Sequence, residues 1–367
     1  MKHLFALLLS CIFTLSYFQS YSQGCSDAGV CTVGSLGLVQ FKFNFLPHDE
    51  NKLSTLSAED PSLNPALTKR DSLNKQNNTN VATVSSADSA NRKKPLSAEL
   101  NYIYPKYFFQ YTSSYGLSDQ KTSIITTQVE GNFRLINKKL FAQIKLPYVF
   151  VNGKLGSVNG LGDVTLSLSY IAFTKTQSSL SMSGGVKIPT NNSNFSINNL
   201  PLPMVYQSSL GSTDILLGLK YTIKKWDFTI GYQHSLNQNK NGYIHNSFVS
   251  DTATYNSYFE AKNLRRSDDG VFRINRNFVG KKINVSGGVL LIYHMANDTY
   301  TNGDDIRVQS VGSKGLTLNL NLAGIIPLSK KLDFIFIVAK PLIIRDARPD
   351  GLTRAFVGII GLKYNIF

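Results

Sequence analysis

Beyond its first 22 residues the chain has no apolar run near the roughly 20 residues that a membrane-spanning helix needs. It therefore cannot cross a bilayer as helices. Cysteine is scarce, with three in 367 residues. Cys11 belongs to the N-terminal apolar stretch, which leaves Cys25 and Cys31 in G-C-S-D-A-G-V-C. Two thiols alone make an incomplete metal set, and no histidine lies close to them in sequence. The pair reads as a disulfide of an oxidising compartment, and no metal or other cofactor is expected. Charge is thin as well, at 17% of residues with a net +15. The lysines are scattered at turns rather than striped along a helix, and no nucleic-acid motif is present, so no nucleic acid is expected as a partner. In contrast to the single tryptophan and four methionines, there are 18 tyrosines and 22 phenylalanines.

The N-terminus reads as an export signal. Lys2 and His3 begin it, residues 4–17 form an apolar core, and Ser20-Tyr21-Ser22 fits a small-x-small cleavage site, so residues 1–22 are expected to be removed. Lipoprotein processing at Cys25 is a competing outcome, because Gly24 precedes it, although Ser22 stands where such signals prefer leucine. Residues 23–46 carry the cysteine pair. They also carry Phe41, Phe43 and Phe45, alternating with Lys42 and Asn44 as in a strand or a plug. Residues 47–100 are rich in Ser, Asn, Asp, Lys and Thr. They bury too little apolar surface to offset the cost of ordering, and a flexible segment is expected.

From residue 101 onward the pattern has period two. The last stretch is typical: Phe356, Gly358, Ile360, Leu362, Tyr364 and Ile366 share one apolar face of a strand. Such a closing strand is similar to the assembly signal of outer-membrane β-barrels, although Phe367 falls out of phase with that face. Short polar turns recur between alternating runs, at Lys138-Lys139, Thr176-Gln177, Lys224-Lys225, Lys281-Lys282 and Lys330-Lys331. Longer connections at 151–161, 191–207, 237–263, 297–315 and 345–352 alternate with them. A soluble sandwich has no reason to segregate loop length by end, whereas a membrane barrel does. The prediction is an all-β fold: a transmembrane antiparallel β-barrel of about 12 strands over residues 101–367, with the short turns in the periplasm. Outer-membrane lipid and the barrel assembly machinery are its expected partners.

Parity assigns the faces. Glu130, Asp163, Asp214 and Asp333 fall on the inner face, and so do Arg134, Lys145, Lys187, Lys220, Arg273 and Lys363. Two roles are open to these charges: a network that braces a narrow barrel, or a constriction that selects solutes. Aromatics such as Tyr148, Tyr170, Tyr221, Trp226, Phe278, Tyr293 and Tyr364 fall near strand ends, where interfacial girdles form. Residues 191–207 carry Phe195, Leu200, Leu202 and Met204 on an outside loop, with Pro201 and Pro203 holding it extended. This apolar surface has to be covered or used. It is expected to fold either against Leu290, Ile292 and His294 in the mouth, or onto the loop holding Tyr243, Phe248, Tyr255, Tyr258 and Phe259. Either arrangement makes an apolar access site for a small hydrophobic solute, or simply a structural loop core.

Three phrases stand out: Gly160-Leu161-Gly162-Asp163, Lys187-Ile188-Pro189-Thr190, and the run from Tyr206 through Gln207, Ser208, Ser209, Leu210, Gly211, Ser212 and Thr213 to Asp214, followed by Leu217-Gly218-Leu219-Lys220-Tyr221. In order and spacing the chain resembles the outer-membrane barrels of the meta-pathway phenol-degradation family, related to the long-chain fatty-acid transporter type. It departs from that pattern at Asn191 and in the 47–95 stretch. The resemblance implies uptake of small hydrophobic molecules; a non-transporting surface anchor is the alternative. An enzyme is not expected, because the pairing of His with Ser that an outer-membrane phospholipase requires is missing. His234 and Ser235 fall on opposite faces, His245 lies in a loop, and His294 has no serine near it in sequence.

Overall fold

The computed structural model describes residues 105–136, 139–250, 253–280, 282–352 and 355–367. The expected signal peptide at 1–22, the Cys25 and Cys31 pair and the 23–46 and 47–100 segments lie outside the described residues, as do Lys138 and Lys281.

The strands are β1 (Tyr107–Leu117), β2 (Ser123–Arg134), β3 (Leu140–Gly153), β4 in two segments (Gly156–Leu161 and Val164–Lys175), β5 (Ser178–Ile188) and β6 (Asp214–Ile223). The second half adds β7 (Trp226–Ser235), β8 (Asp269–Val279), β9 (Asn284–His294), β10 (Gly315–Pro327), β11 (Leu332–Ile343) and β12 (Phe356–Ile366). Both segments of β4 pair with β3, one with its upper half and one with its lower half, so they form one strand interrupted at Gly162 and Asp163. All neighbours are antiparallel, and β1 pairs with β12 from Tyr107 opposite Ile366 to Leu117 opposite Phe356. The twelve strands therefore close on themselves and leave no free edge.

Period two sorts each strand into an inner and an outer face. Outward positions remain exposed although apolar: Val129, Leu168, Leu217, Ile230, Leu320 and Ile360 are examples. In water such a surface would drive association; against lipid it is the lower-energy arrangement. Strands of about 11 residues, tilted as barrel strands are, span roughly the thickness of a bilayer core. Aromatics mark both rims. At the short-turn end the Phe109 and Phe133 rings lie 5.8 Å apart, and the Arg276 guanidinium sits 5.3 Å from the ring centres of both Trp226 and Phe278. The Arg276 stem thus lies along the apolar belt while its charge reaches the interface. At the other end Tyr148 and Phe150 pair at 4.9 Å.

The described parts of the short turns, at 135–136, 139, 176–177, 224–225, 280, 282–283 and 328–331, gather at one end, and the longer loops gather at the other. The structure corrects two boundaries. The expected long connection at 151–161 is instead a hairpin, because β3 and β4 continue to Gly153 and Gly156 around Lys154 and Leu155. Inward Val149 and Val151 still alternate with outward Phe150 there, so the pleat does not break. Conversely, β6 begins at Asp214 rather than at Ser208, because 208–213 turns aside to bind Asp163. The face assignment predicts the orientation in the membrane. Lys225→Cys and Lys331→Cys should resist a membrane-impermeant thiol reagent on intact cells, whereas Phe248→Cys, in a long loop and 97% exposed, should label fully. Equal labelling of all three sites would overturn this topology.

Candidate functional site

Six of the ten inner-face charges fall on a single line of cross-strand neighbours. Asp333 lies opposite Lys363, Lys363 opposite Gln110, and Gln110 opposite Glu130. The line continues through Lys145, Thr165, Lys187 and Asp214, and ends at Ser235. Asp333 is near the short-turn end and Asp214 near the long-loop end, because barrel strands tilt and a row of neighbours climbs as it goes round. All six charged side chains are buried. Signs mix along the row, which lets each charge meet a partner in a confined space. Off this row, Lys220 lies 3.4 Å from Asp227, which also accepts hydrogen bonds from Thr222 Oγ1 at 2.7 Å and Asn277 Nδ2 at 3.0 Å. Arg273 is buried in the same cross-strand row as Lys220, opposite Thr229 and Leu290. Arg134, half-buried, ends β2. A lipid-matched exterior around a charged wall has one natural setting. The chain is an outer-membrane β-barrel.

The three phrases of the sequence meet inside its upper half. Asp163, in the interruption of β4, is 3.8 Å from Lys187 Nζ. It accepts a hydrogen bond from Ser209 Oγ at 2.5 Å and another from the Leu210 backbone N–H at 3.1 Å. Thr190 Oγ1 donates to the Gly162 carbonyl, and Asn191 Nδ2 donates to Ser208 Oγ at 3.0 Å. The approach is close at Gly160, where a Cβ would stand 2.3 Å from Asn191 Nδ2 and 2.9 Å from Ser208 Oγ, so those side chains would have to shift. The result is a cavity of about 60 Å³ between the barrel wall and the loop at 203–210. Its lining includes Lys145, Asp163, Thr165 and Lys187 together with Val149, Val151, Met204 and Leu352.

Above the cavity four long loops are tied together by buried charges, of which parity marks only Asp214. Arg266 reaches Asp214 and Asp269 at 3.1 Å each and Asp350 at 3.8 Å. Arg345 reaches Asp350 at 2.5 Å and Asp298 at 3.7 Å. His294 completes the group, with Nδ1 2.6 Å from Asp269 and Nε2 2.8 Å from Asp298. Two carboxylate acceptors require a donor on each ring nitrogen, which is the imidazolium form. Burial alone would raise the Asp350 carboxyl, but Arg345 and then Arg266 pull it down, to about 2. Outside the group, His234 Nδ1 is 2.7 Å from Asp268 and His245 Nε2 is 2.9 Å from the Tyr258 carbonyl. The described histidines thus face carboxylates or a carbonyl rather than a serine hydroxyl.

The six apolar residues expected to form an access site fall into three places. Leu202 is buried with Tyr206, Tyr243, Tyr255 and Tyr258, and Phe195 and Leu200 pack against that cluster. Met204 joins Leu210, Ala261, Leu264 and Leu352. Leu290 and Ile292 form a separate inner-wall cluster with Leu216 and Val271. Of the two covers considered for this loop, the structure thus shows the tyrosine-rich loop; Phe248 points away from it. Met204 is the member of the six that also lines the cavity.

No family model matches the sequence, and no curated protein matches it. Solved structures with similar chains include an outer membrane channel from Pseudomonas putida F1, at 12% identity and TM-score 0.49, covering 70% of this chain and 93% of that one. The NanC porin matches at 10% identity and TM-score 0.41, covering 70% of this chain and all of its own. A monoaromatic hydrocarbon channel, CymD, matches at 9% and 0.37, with 72% and 89% covered. Identities and scores this low leave solute and residue roles to the geometry of the chain itself.

Proposed function

We propose that the chain is a passive channel that admits small molecules with an apolar body. The observation that carries this reading is the cavity where the three phrases meet. A purely structural brace needs only paired charges, yet here one cavity is lined by Val149, Val151, Met204 and Leu352 as well as by Lys145, Thr165 and Lys187. An apolar wall with a few convergent polar groups is the usual form of a small-molecule site. The resemblance to the phenol-degradation barrels, carried by the same phrases, points the same way. Liposomes containing the purified protein should take up a small aromatic solute faster than a sugar of similar size. Val149→Asn should lower uptake of the aromatic about threefold to tenfold through lost apolar contact, with sugar uptake unchanged. Equal loss for both would mean that Val149 only supports the wall.

A second reading, a non-transporting anchor, is favoured by one observation. Arg266 and Arg345 bind the loops over the mouth together, as a permanent lid would. Liposomes that take up neither solute would select it.

A further inference from the structure

Arg276 sits on the lipid-facing surface of the barrel, near its short-turn end. It lies on β8 opposite Trp226 of β7, and Phe278 follows two residues along the same outward face. All three are exposed. The centres of both rings are 5.3 Å from the guanidinium, and Phe228 extends the aromatic surface by stacking on Trp226 at 6.4 Å. A guanidinium bracketed by two rings keeps its charge but has fewer arrangements open to it, so its fork of donors is set in advance. The turn from β6 to β7 places Lys224 and Lys225, both exposed, immediately before Trp226. That turn is fixed from two sides. The Lys224 N–H donates to the Gln177 carbonyl at 2.7 Å, and the Lys225 carbonyl accepts from the Asn277 N–H at 2.7 Å. Asn277 is the residue after Arg276, so the second bond ties the lysine turn to the strand that carries the arginine. Three cations and an indole N–H thus gather on a braced backbone where the apolar belt ends.

We propose that this patch binds the phosphate of an anionic phospholipid in the leaflet at the short-turn end. The phosphodiester takes the Arg276 fork, with Lys224 and Lys225 on the water side. The acyl chains run along Phe228 and then Ile230 and Phe272, which are cross-strand neighbours on the outer face. The match has three parts. A phosphate presents two free oxygens to a planar fork. The lysines add positive charge where an anionic surface attracts it, and apolar wall continues for the chains. A zwitterionic lipid carries the same phosphate, but its own ammonium would stand among the lysines. Inorganic phosphate would gain the charge and lose the apolar contact. Such binding lies outside the barrel wall and does not depend on what passes through the lumen.

The chain contains a single tryptophan, so its fluorescence is a probe already in the patch. The full protein is placed in phosphatidylcholine vesicles, and brominated phosphatidylglycerol or brominated phosphatidylcholine is added in increasing share, since bromine quenches an indole that it touches. The anionic lipid should reach half-maximal quenching at a share at least about tenfold lower than the zwitterionic one. Arg276→Gln should cut that margin at least about fivefold. Lys175→Gln should keep it. Lys175 sits over the Phe173 ring at 5.8 Å in the same cross-strand row, four strand spacings or about 19 Å from Arg276, so its loss removes the same charge outside the patch. Equal quenching by the two lipids would overturn the proposal, as would an Arg276→Gln protein that keeps the preference. An equal fall in Arg276→Gln and Lys175→Gln would assign the preference to overall basic charge and overturn the site. Relief of the quenching by inorganic phosphate would assign the patch to a free anion and overturn the lipid. If Arg276→Gln fails to give a folded, heat-modifiable band, Lys225→Gln, at an exposed turn position, takes its place. It should lower the margin about threefold to fivefold, and an unchanged margin would then overturn the proposal.

Discussion

Replacing Arg266 with methionine is expected to unlock the extracellular cap while leaving the barrel closed. Arg266 is fully buried and stands among Asp214, Asp269 and Asp350. Methionine keeps much of the volume and removes the charge, so the three carboxylates face one another with Arg345 and His294 as the remaining cations. Removing one partner of a buried ion pair costs about 3–5 kcal/mol, and here the loss falls where the loops meet over the barrel mouth. Hydrogen exchange should show 236–268 and 344–355 losing protection, with the strands unchanged. In planar bilayers the conductance should rise. Acid should matter sooner as well. The Asp350 carboxyl sits at about 2 against an ordinary 3.8. The stability it contributes is thus fully present above its ordinary value and is lost as pH falls toward 2. Without Arg266 the Asp350 carboxyl moves back toward its ordinary value, so this contribution is smaller and its loss is complete at a higher pH. An unchanged exchange pattern would show that Arg345 alone holds the cap.

Replacing Tyr206 with alanine should be comparably severe. Its ring is fully buried, edge-on to Tyr258 at 5.8 Å. Its hydroxyl accepts from the Leu155 N–H at 3.1 Å and lies 3.3 Å from the Tyr258 hydroxyl. It thereby ties the loop at 189–213 both to the β3–β4 hairpin and to the tyrosine-rich loop. Emptying a buried aromatic position costs about 3–5 kcal/mol, and limited proteolysis should then cut within 189–213 in the folded barrel. Tyr206→Phe keeps the ring and orphans one N–H, so it should cost only about 1–2 kcal/mol. If phenylalanine proves as harmful as alanine, the hydroxyl rather than the packing holds the loop.

The barrel was legible in the sequence because its physics is local. Alternation in β2 and β12 assigned Glu130, Arg134 and Lys363 to the lumen without any knowledge of neighbours, and turn length alone separated the two ends. Register is not local. That Asp333, Lys363, Glu130, Lys145, Lys187 and Asp214 share one line depends on how each strand slides against the next, which parity does not encode. The same holds for the cap. Arg266, Asp298, Arg345 and Asp350 lie in or beside loops without periodicity, and their meeting depends on three separate chain paths. The β3–β4 hairpin was read as a loop because Asn152, Gly153 and Gly156 resemble turn residues. The continuing alternation of Val149, Phe150 and Val151 was the contrary signal. The three phrases gave no sign in sequence that Asp163 would collect donors from Ser209 and Leu210.

The charged row also has an order in time. Its segment from Gln110 to Ser235 belongs to the first seven strands, whereas Asp333 and Lys363 belong to the last two. The two parts touch only across the seam between β1 and β12, where Lys363 lies opposite Gln110 and its ammonium sits 4.3 Å from the centre of the Phe108 ring. In an open sheet β1 and β12 are opposite edges, so this cation has Asp333 as its row neighbour on one side and nothing on the other. Zipping the seam supplies the aromatic face and joins the two parts of the row in one event. Closure of the barrel is thereby coupled to burial of a lysine, and a seam paired out of step would leave that charge stranded.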